Sequence, residues 1–376
     1  SLGLSPILLK ALASQNHTQA YPIQQEAIPA ILKGKDILGI AQTGSGKTAS
    51  YVLPILTTLQ GNSTSKNRHI KVLVLVPTRE LAMQVSEVFK LFGSELSNRI
   101  KTLAVFGGVS INPQMIALQG VDILVATPGR LLELVESKAV HLSDINTLVL
   151  DEADKMLNLG FQDEMTRIFA LLPQKRQNLL FSATLSDDLN NMHQVLLHNP
   201  MVIKIEPDND KIDLINQSAY FVSEEKKGPL LRYLIKQGDL RQVLVFTSSV
   251  FKADSVVNKL TKNGINAFAI HSKKSQQART EALIKFKAGN LRVLVATDLL
   301  SRGIDIEFLP YVINYELPRS PKDYLHRIGR TGRAESPGEA ISFVCPDDEK
   351  HFKVIQKKIG KWVTRIDTEG INLHGY

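Results

Sequence analysis

A chain of 376 residues exceeds what one hydrophobic core organises, so two domains are expected, and 43% hydrophobic with 22% charged residues marks a globular chain, neither disordered nor fibrous. The 45 Lys and Arg against 37 Asp and Glu give a formal charge of +8, compatible with a polyanionic partner but not specific for one. The single cysteine, Cys345, excludes an internal disulfide and a thiol-rich zinc module and fits a reducing compartment, while no apolar run reaches membrane-spanning length.

Leu2 to Ala13 is interrupted by Pro6 and Lys10 and lacks a basic leader, so it reads as an amphipathic helix and not as a signal peptide. Asp36 to Ile40 reads as a strand and Ala49 to Leu59 as a helix. Apolar runs at Lys71 to Val76, Val121 to Ala126, Thr147 to Asp151, Asn178 to Ser182 and Met201 to Ile205 do not alternate with polar residues, the mark of strands buried on both faces. Helical patterns between them predict a parallel, doubly covered α/β sheet. The polar, turn-prone stretch Glu206-Pro207-Asp208-Asn209-Asp210-Lys211 reads as a domain boundary, placing one domain at 1–206, a linker at 207–216 and a second domain at 217–376. There the pattern restarts with strands at Gln242 to Phe246, Ile265 to Ile270, Leu291 to Ala296 and Tyr311 to Tyr315, helices at Phe251 to Lys262 and Ser275 to Lys287, and a closing helix at His351 to Trp362.

Ala41-Gln42-Thr43-Gly44-Ser45-Gly46-Lys47-Thr48 lies between a strand and a helix, the context of a phosphate-binding loop. Glycines let backbone N–H groups wrap a phosphate at a helix N-terminus, Lys47 would neutralise the outer phosphates, and Thr48 offers a hydroxyl to Mg²⁺. Ala41 stands where the general pattern has Gly, and the bland alternative is a strand-to-helix turn that holds no ligand. Asp151-Glu152-Ala153-Asp154 follows a buried strand, so Asp151 is suited to the Mg²⁺ shell through water and Glu152 to orienting or deprotonating an attacking water. An acidic tetrad by itself is more often a solvated helix start; its position after a strand gives it weight.

With that tetrad the chain resembles the DEAD-box family of RNA helicases, and the resemblance spans almost its whole length. Pro77-Thr78-Arg79-Glu80-Leu81-Ala82, Gly107-Gly108, Thr127-Pro128-Gly129-Arg130 and Ser182-Ala183-Thr184 occur in family order in the first half. The second half carries Val245-Phe246, Gln276 with Arg279, Ala296-Thr297-Asp298 through Arg302-Gly303-Ile304-Asp305, and His326-Arg327-Ile328-Gly329-Arg330-Thr331-Gly332-Arg333. In style it is most similar to the bacterial RhlE-like members. Taken alone, the Pro77 to Ala82 segment reads as an ordinary strand-to-helix turn capped by Thr78.

The resemblance implies two tandem RecA-like domains, each a mainly parallel sheet flanked by helices, and an ATP hydrolase that uses Mg²⁺ to separate short RNA duplexes or remodel ribonucleoproteins. It assigns the adenine to Gln24, the phosphate loop to Gln42, Thr43, Gly44, Ser45, Gly46, Lys47 and Thr48, the ribose to Asp305, and a further nucleotide contact to Gly303. Glu152, Lys47, Asp151, Arg330 and Arg333 are the implied catalytic group; the three-residue spacing of the two arginines reads as one face of a helix, from which both serve as fingers toward the γ-phosphoryl. Pro77, Thr78, Arg79, Gly108, Thr127, Gly129 and Arg130, with Arg279 and Thr297, match RNA-contacting positions. Such hydroxyls, amides and guanidiniums carry no base code, so RNA is gripped mainly through its sugar-phosphate backbone. Ser182, Thr184, Asp154 and His326 match the relay between nucleotide state and RNA grip. The chain departs from the family at Ala20-Tyr21, where Pro-Thr is usual, and at His17, where an aromatic ring is preferred; the upstream Phe of the pattern would fall before Ser1, which implies weaker adenine selectivity. A monomeric core in a bacterial cytoplasm, without a membrane partner, completes the expectation. A DNA helicase of the same superfamily and an ATP-gated RNA clamp with little unwinding are the alternatives.

Overall fold

The computed structural model describes residues 2–15, 17, 19–42, 44–60, 69–96, 100–185, 187–206, 215–298, 309–331 and 338–376. The chain divides into two compact units, Ser1–Pro207 and Asp208–Tyr376.

In the first unit, strands β1 (Ile37–Ile40), β2 (Val72–Leu75), β3 (Thr102–Val105), β4 (Ile123–Ala126), β5 (Thr147–Leu150), β6 (Gln177–Ser182) and β7 (Met201–Lys204) form one sheet in the order β3-β4-β2-β5-β6-β1-β7. All its pairings are parallel, because each strand returns through a helical crossover. Alternate residues of each strand feed opposite core layers. Ile37, Val74, Val125, Val149 and Phe181 pack beneath α1 (Pro6–Ser14), α2 (Pro22–Leu32), α3 (Lys47–Leu59) and α4 (Arg79–Gly93). Helix α5 (Ile111–Ala117) buries none of its residues. Leu38, Leu73, Leu124, Leu148 and Leu180 pack beneath α6 (Pro128–Glu136), α7 (Ala153–Asn158), α8 (Gln162–Leu171) and α9 (Asp187–Leu196).

The second unit repeats the plan with β8 (Ile215–Phe221), β9 (Val243–Thr247), β10 (Ala267–Ile270), β11 (Val293–Thr297), β12 (Tyr311–Asn314), β13 (Gly338–Val344) and β14 (Thr364–Asp367), ordered β10-β11-β9-β12-β13-β8-β14 and again parallel. Its helices are α10 (Lys227–Gln237), α11 (Val250–Lys262), α12 (Gln276–Lys287), α13 (Pro321–Ile328) and α14 (Glu349–Ile359). Serine caps begin three of them: Ser249, Ser275 and Ser320 accept from the backbone N–H of Lys252, Ala278 and Asp323.

Several expectations shift. The N-terminal helix starts at Pro6 and not at Leu2, since proline suits the first helical position and Leu2 and Gly3 both adopt positive φ. The closing helix runs Glu349–Ile359 and stops short of Trp362, because Gly360 takes the left-handed conformation at φ 71°. Strand β8 begins at Ile215, inside the stretch 207–216 assigned to the linker.

Asp36 ties the first sheet together at its N-terminal edge. Its Oδ1 accepts from the Asn178 N–H at 2.8 Å, and Oδ2 accepts from the His198 N–H at 2.8 Å. Asp36→Ala strands one buried and one part-buried donor, so a loss of about 2 kcal/mol in the first unit is expected by urea unfolding; a change within error would refute this account of the edge. An open depression of about 490 Å³ beside it, lined in part by Lys35, Arg176 and His198, holds none of the motif residues.

Candidate active site and nucleic-acid edge

Open parallel sheets bind ligands at the carboxyl ends of their strands, and the motifs of the first unit all fall there. The order of the strands divides this edge. The Pro77, Gly107 and Thr127 segments follow β2, β3 and β4, three adjacent strands. The glycine loop, the acidic tetrad and Ser182 follow or end β1, β5 and β6, the next three.

In the glycine loop Gly44 and Gly46 hold φ of 80° and 85°. A Cβ on Gly46 would lie 2.5 Å from Nε2 of Gln24, so glycine is required both by conformation and by contact. Helix α3 starts at Lys47, two residues before the expected Ala49. Lys47 is buried and donates from Nζ to the Ala41 carbonyl at 2.5 Å. Ala41 is accommodated without strain: its methyl belongs to the core and its N–H bonds the Ser182 carbonyl at 3.0 Å. Gln24 bridges two backbones, accepting from the Tyr21 N–H at 3.0 Å and donating to the Gly46 carbonyl at 3.1 Å, which joins α2 to the loop.

Asp151 and Glu152 are both buried beside two lysines. Asp151 Oδ2 accepts from the Tyr51 hydroxyl at 2.8 Å. Glu152 adopts φ 55°, a strained value for a side-chain-bearing residue, and places Oε1 2.5 Å from Lys155 Nζ while buried Oε2 has no protein partner. Burial raises both carboxyls above their ordinary range, opposed by Lys47 at Asp151 and by Lys155 at Glu152. Burial, reinforced by the charge of Asp151, also holds the Tyr51 phenol well above its usual value. Hard oxygen donors, an unsatisfied carboxylate oxygen and a glycine loop opening a helix fit a divalent cation and a polyphosphate. Thr184 links this centre to β6: its hydroxyl donates to Asp154 Oδ2 at 2.8 Å, and Ser182 Oγ donates to the Thr184 carbonyl at 2.8 Å.

On the other half of the edge, Thr78 caps α4 by accepting from the Leu81 N–H at 3.3 Å. The Arg79 guanidinium lies against Gly108, where an added Cβ would meet Nη2 at 1.9 Å. Gly129 is open on the side a Cβ would occupy, whereas Thr127 and Pro77 are buried. Arg130 is only 5% exposed; it pairs with Glu133 at 2.8 Å and donates to the Val109 carbonyl at 2.8 Å, so it braces the glycine turn from below.

In the second unit Thr297 ends β11, and Arg279 is buried on α12, donating to Gln276. His326 is half-buried in the last turn of α13. That helix ends at Ile328, so the expectation that Arg330 stands on a helix with Arg333 fails: Thr331 instead bridges to Leu309, and Leu309 N–H bonds the Arg330 carbonyl at 2.9 Å. Thr43, Gly303, Asp305 and Arg333 lie outside the described residues.

Three functional-looking side chains escaped sequence reasoning. Lys155 was legible, three residues from Glu152 at helical spacing. Arg327, fully buried, grips Asp298 with two bonds of 2.6 and 2.8 Å and stacks on Phe246 at 4.9 Å; its place between His326 and Ile328 was the available signal. Tyr51 had none, since its partner lies 100 residues away.

Two covered parallel sheets, with a glycine loop and an acidic turn on one strand edge, define a P-loop nucleotide-dependent protein of the doubly wound α/β class. A DEAD/DEAH box helicase model matches residues 21–192, and a helicase conserved C-terminal domain model matches 226–335. The chain is 39% identical over 373 residues to the DEAD-box ATP-dependent RNA helicase RhpA of Helicobacter pylori, covering 99% of this chain and 74% of that protein. It is likewise 39% identical over 367 residues to CshA of Bacillus cereus, covering 97% and 69%. Among solved structures it is similar to S. cerevisiae Dbp5 bound to RNA and ADP BeF3, with TM-score 0.86, 31% identity and coverage of 98% and 95% of the two chains. The chain therefore belongs to the DEAD-box family of ATP-dependent RNA helicases, and its two units are the tandem RecA-like domains of that family.

Proposed function

We propose that this chain couples ATP hydrolysis to local separation of RNA duplexes. The observation that carries this reading is the division of one strand edge into a half bearing the glycine loop and acidic turn and a half bearing the Pro77, Gly107 and Thr127 segments, with the Thr184 to Asp154 hydrogen bond of 2.8 Å beside the acidic turn. Residues Gln42 to Thr48 cradle the phosphates of ATP, with Lys47 leaving the Ala41 carbonyl to meet the outer ones, and Gln24 reads the adenine edge. Thr48 and Asp151, the latter through water, would hold Mg²⁺, whose charge offsets that of the phosphates. Glu152 orients and deprotonates the attacking water through its unpartnered Oε2.

Arg330 and Arg333 act as fingers when ATP draws the two units together, Asp305 bonds the ribose, and Gly303 makes a further nucleotide contact. Arg79, Thr78, Gly108, Thr127, Gly129, Arg130 and Pro77, with Arg279 and Thr297, hold the RNA backbone, Arg130 also bonding the Val109 carbonyl beside the Gly108 turn. Closure bends the strand, which a duplex does not accommodate, and hydrolysis reopens the cleft. Ser182, Thr184, Asp154 and His326 relay one event to the other. The core works as a monomer in a bacterial cytoplasm.

RNA-dependent ATP hydrolysis tests the reading. Single-stranded RNA is expected to raise turnover well above that seen with DNA of equal length, and Lys47→Ala to abolish it; short-duplex strand release should follow the same pattern. Equal stimulation by DNA would favour a DNA helicase, and hydrolysis without strand release an RNA clamp.

A further inference from the structure

Helix α14 carries an outward stripe that the proposed activity leaves unused. Lys350, Lys353, Val354, Lys357 and Lys358 are all exposed and recur at i, i+3, i+4, i+7 and i+8, one face of a helix. Among the described residues none of these four lysines is paired with a carboxylate, in contrast to Lys285 with Glu281 on α12. The opposite face is in the core: Phe352 and Ile355 are buried, and Phe352 meets Tyr324 of α13 edge-on at 6.3 Å. Past the terminating Gly360 stands Trp362, the only tryptophan in the chain, 73% exposed. An indole is usually buried over most of its surface, and one left in water beside a lysine stripe calls for an occupant.

The helix dipole explains only part of this pattern. It accounts for Asp347, Asp348 and Glu349 near the start and for Lys357 and Lys358 in the last turn, but not for Lys353 or for the bare indole. A membrane surface fits poorly, because an interfacial helix needs a wide apolar face and here that face is already in the core. Cations that track a phosphate backbone next to an aromatic platform for a base are the chemistry of sequence-tolerant single-strand binding. The acids at the helix start confine the contact to its later turns. Because α14 follows β13 and returns against the strand direction, those turns lie at the end of the unit opposite the motif edge.

We propose that Lys353, Lys357, Lys358 and Trp362 form a second contact for single-stranded RNA, separate from the motif edge of this unit. The choice of RNA as occupant rests on the helicase reading; the surface itself does not. The test titrates the full chain with single-stranded RNA of about 10 and about 30 nucleotides while following Trp362 fluorescence. Quenching by the longer RNA is expected. The triple variant Lys353→Ala, Lys357→Ala, Lys358→Ala should lower the slope of log affinity against log salt by about 2, at about 0.7 per single-strand phosphate contact. Trp362→Ala should weaken binding of the longer RNA about ten-fold. In the triple variant, ATP turnover at saturating short RNA should match the parent chain; absence of RNA-stimulated turnover in the parent would count against the helicase reading alone. Unquenched Trp362 overturns the second contact, as does a parental salt slope in the triple variant; the quenching readout needs only the unmodified chain if a variant is unstable. Quenching by an acidic polypeptide or by anionic vesicles but not by RNA overturns it in favour of those occupants.

Discussion

Glu152→Gln should lower RNA-stimulated ATP turnover by about 10³, within the range for loss of a positioned general base, while ATP and RNA binding persist. The amide keeps the shape and a contact to Lys155, 2.5 Å from Oε1 in the parent, but has no basic oxygen to take a proton from water. The unusual φ of 55° at Glu152 is set by the turn between β5 and α7 and holds the side chain in the buried centre, so the loss should appear in kcat rather than in folding. The pH profile is a second readout. A general base works deprotonated, and burial raises the Glu152 carboxyl, so turnover should fall with decreasing pH at a higher pH than an exposed glutamate would give. Lys155→Met removes the opposing positive charge and should move that acid limb further up. Full turnover in Glu152→Gln would transfer the role to another group.

Arg330→Ala is expected to cost about 10³ to 10⁵ in turnover, the range for a finger that meets the γ-phosphoryl only in the transition state, with little change in KM for ATP. Its backbone is anchored independently of the side chain, by Leu309 N–H to the Arg330 carbonyl at 2.9 Å and by the Arg330 N–H to the Arg327 carbonyl at 3.2 Å. Truncation should therefore leave this segment in place. Because the residue is only 5% exposed, thermal unfolding must accompany the kinetics. Lost turnover with an unchanged melting temperature marks a chemical role. A lowered melting temperature with turnover retained per folded molecule marks a structural one, and Arg330→Lys should not restore the rate, since an ammonium lacks the planar fork.

What could be read along the chain was whatever is encoded locally. Central strands announce themselves as unbroken apolar runs because both faces are covered: β2, β4 and β5 fell within such runs, and β9 and β11 overran theirs by one residue, at Thr247 and Thr297. The glycine loop and the Thr78 cap are likewise short-range events, dictated by φ values and by a hydroxyl three residues from its donor. Strands β3, β8, β13 and β14 were not read: β3 and β14 lie at sheet edges with half their surroundings missing, β8 mixes Asn, Gln and Ser into its apolar residues, and β13 carries Gly338, Glu339 and Ser342 among its own. Arg330 lay beyond local reading too, because the end of α13 at Ile328 depends on the pairing of Thr331 with Leu309, far away in the chain.

The sequence by itself determined the residue types of the site and the ends of strands on which they stand. Only the tertiary structure decided which of them meet. Neighbouring strands β5 and β6 bring Thr184 to Asp154, and the packing of α3 brings Tyr51 to Asp151 across 100 residues. Burial of those groups then moves their proton affinities, a property of the folded surroundings that no spacing along the chain encodes.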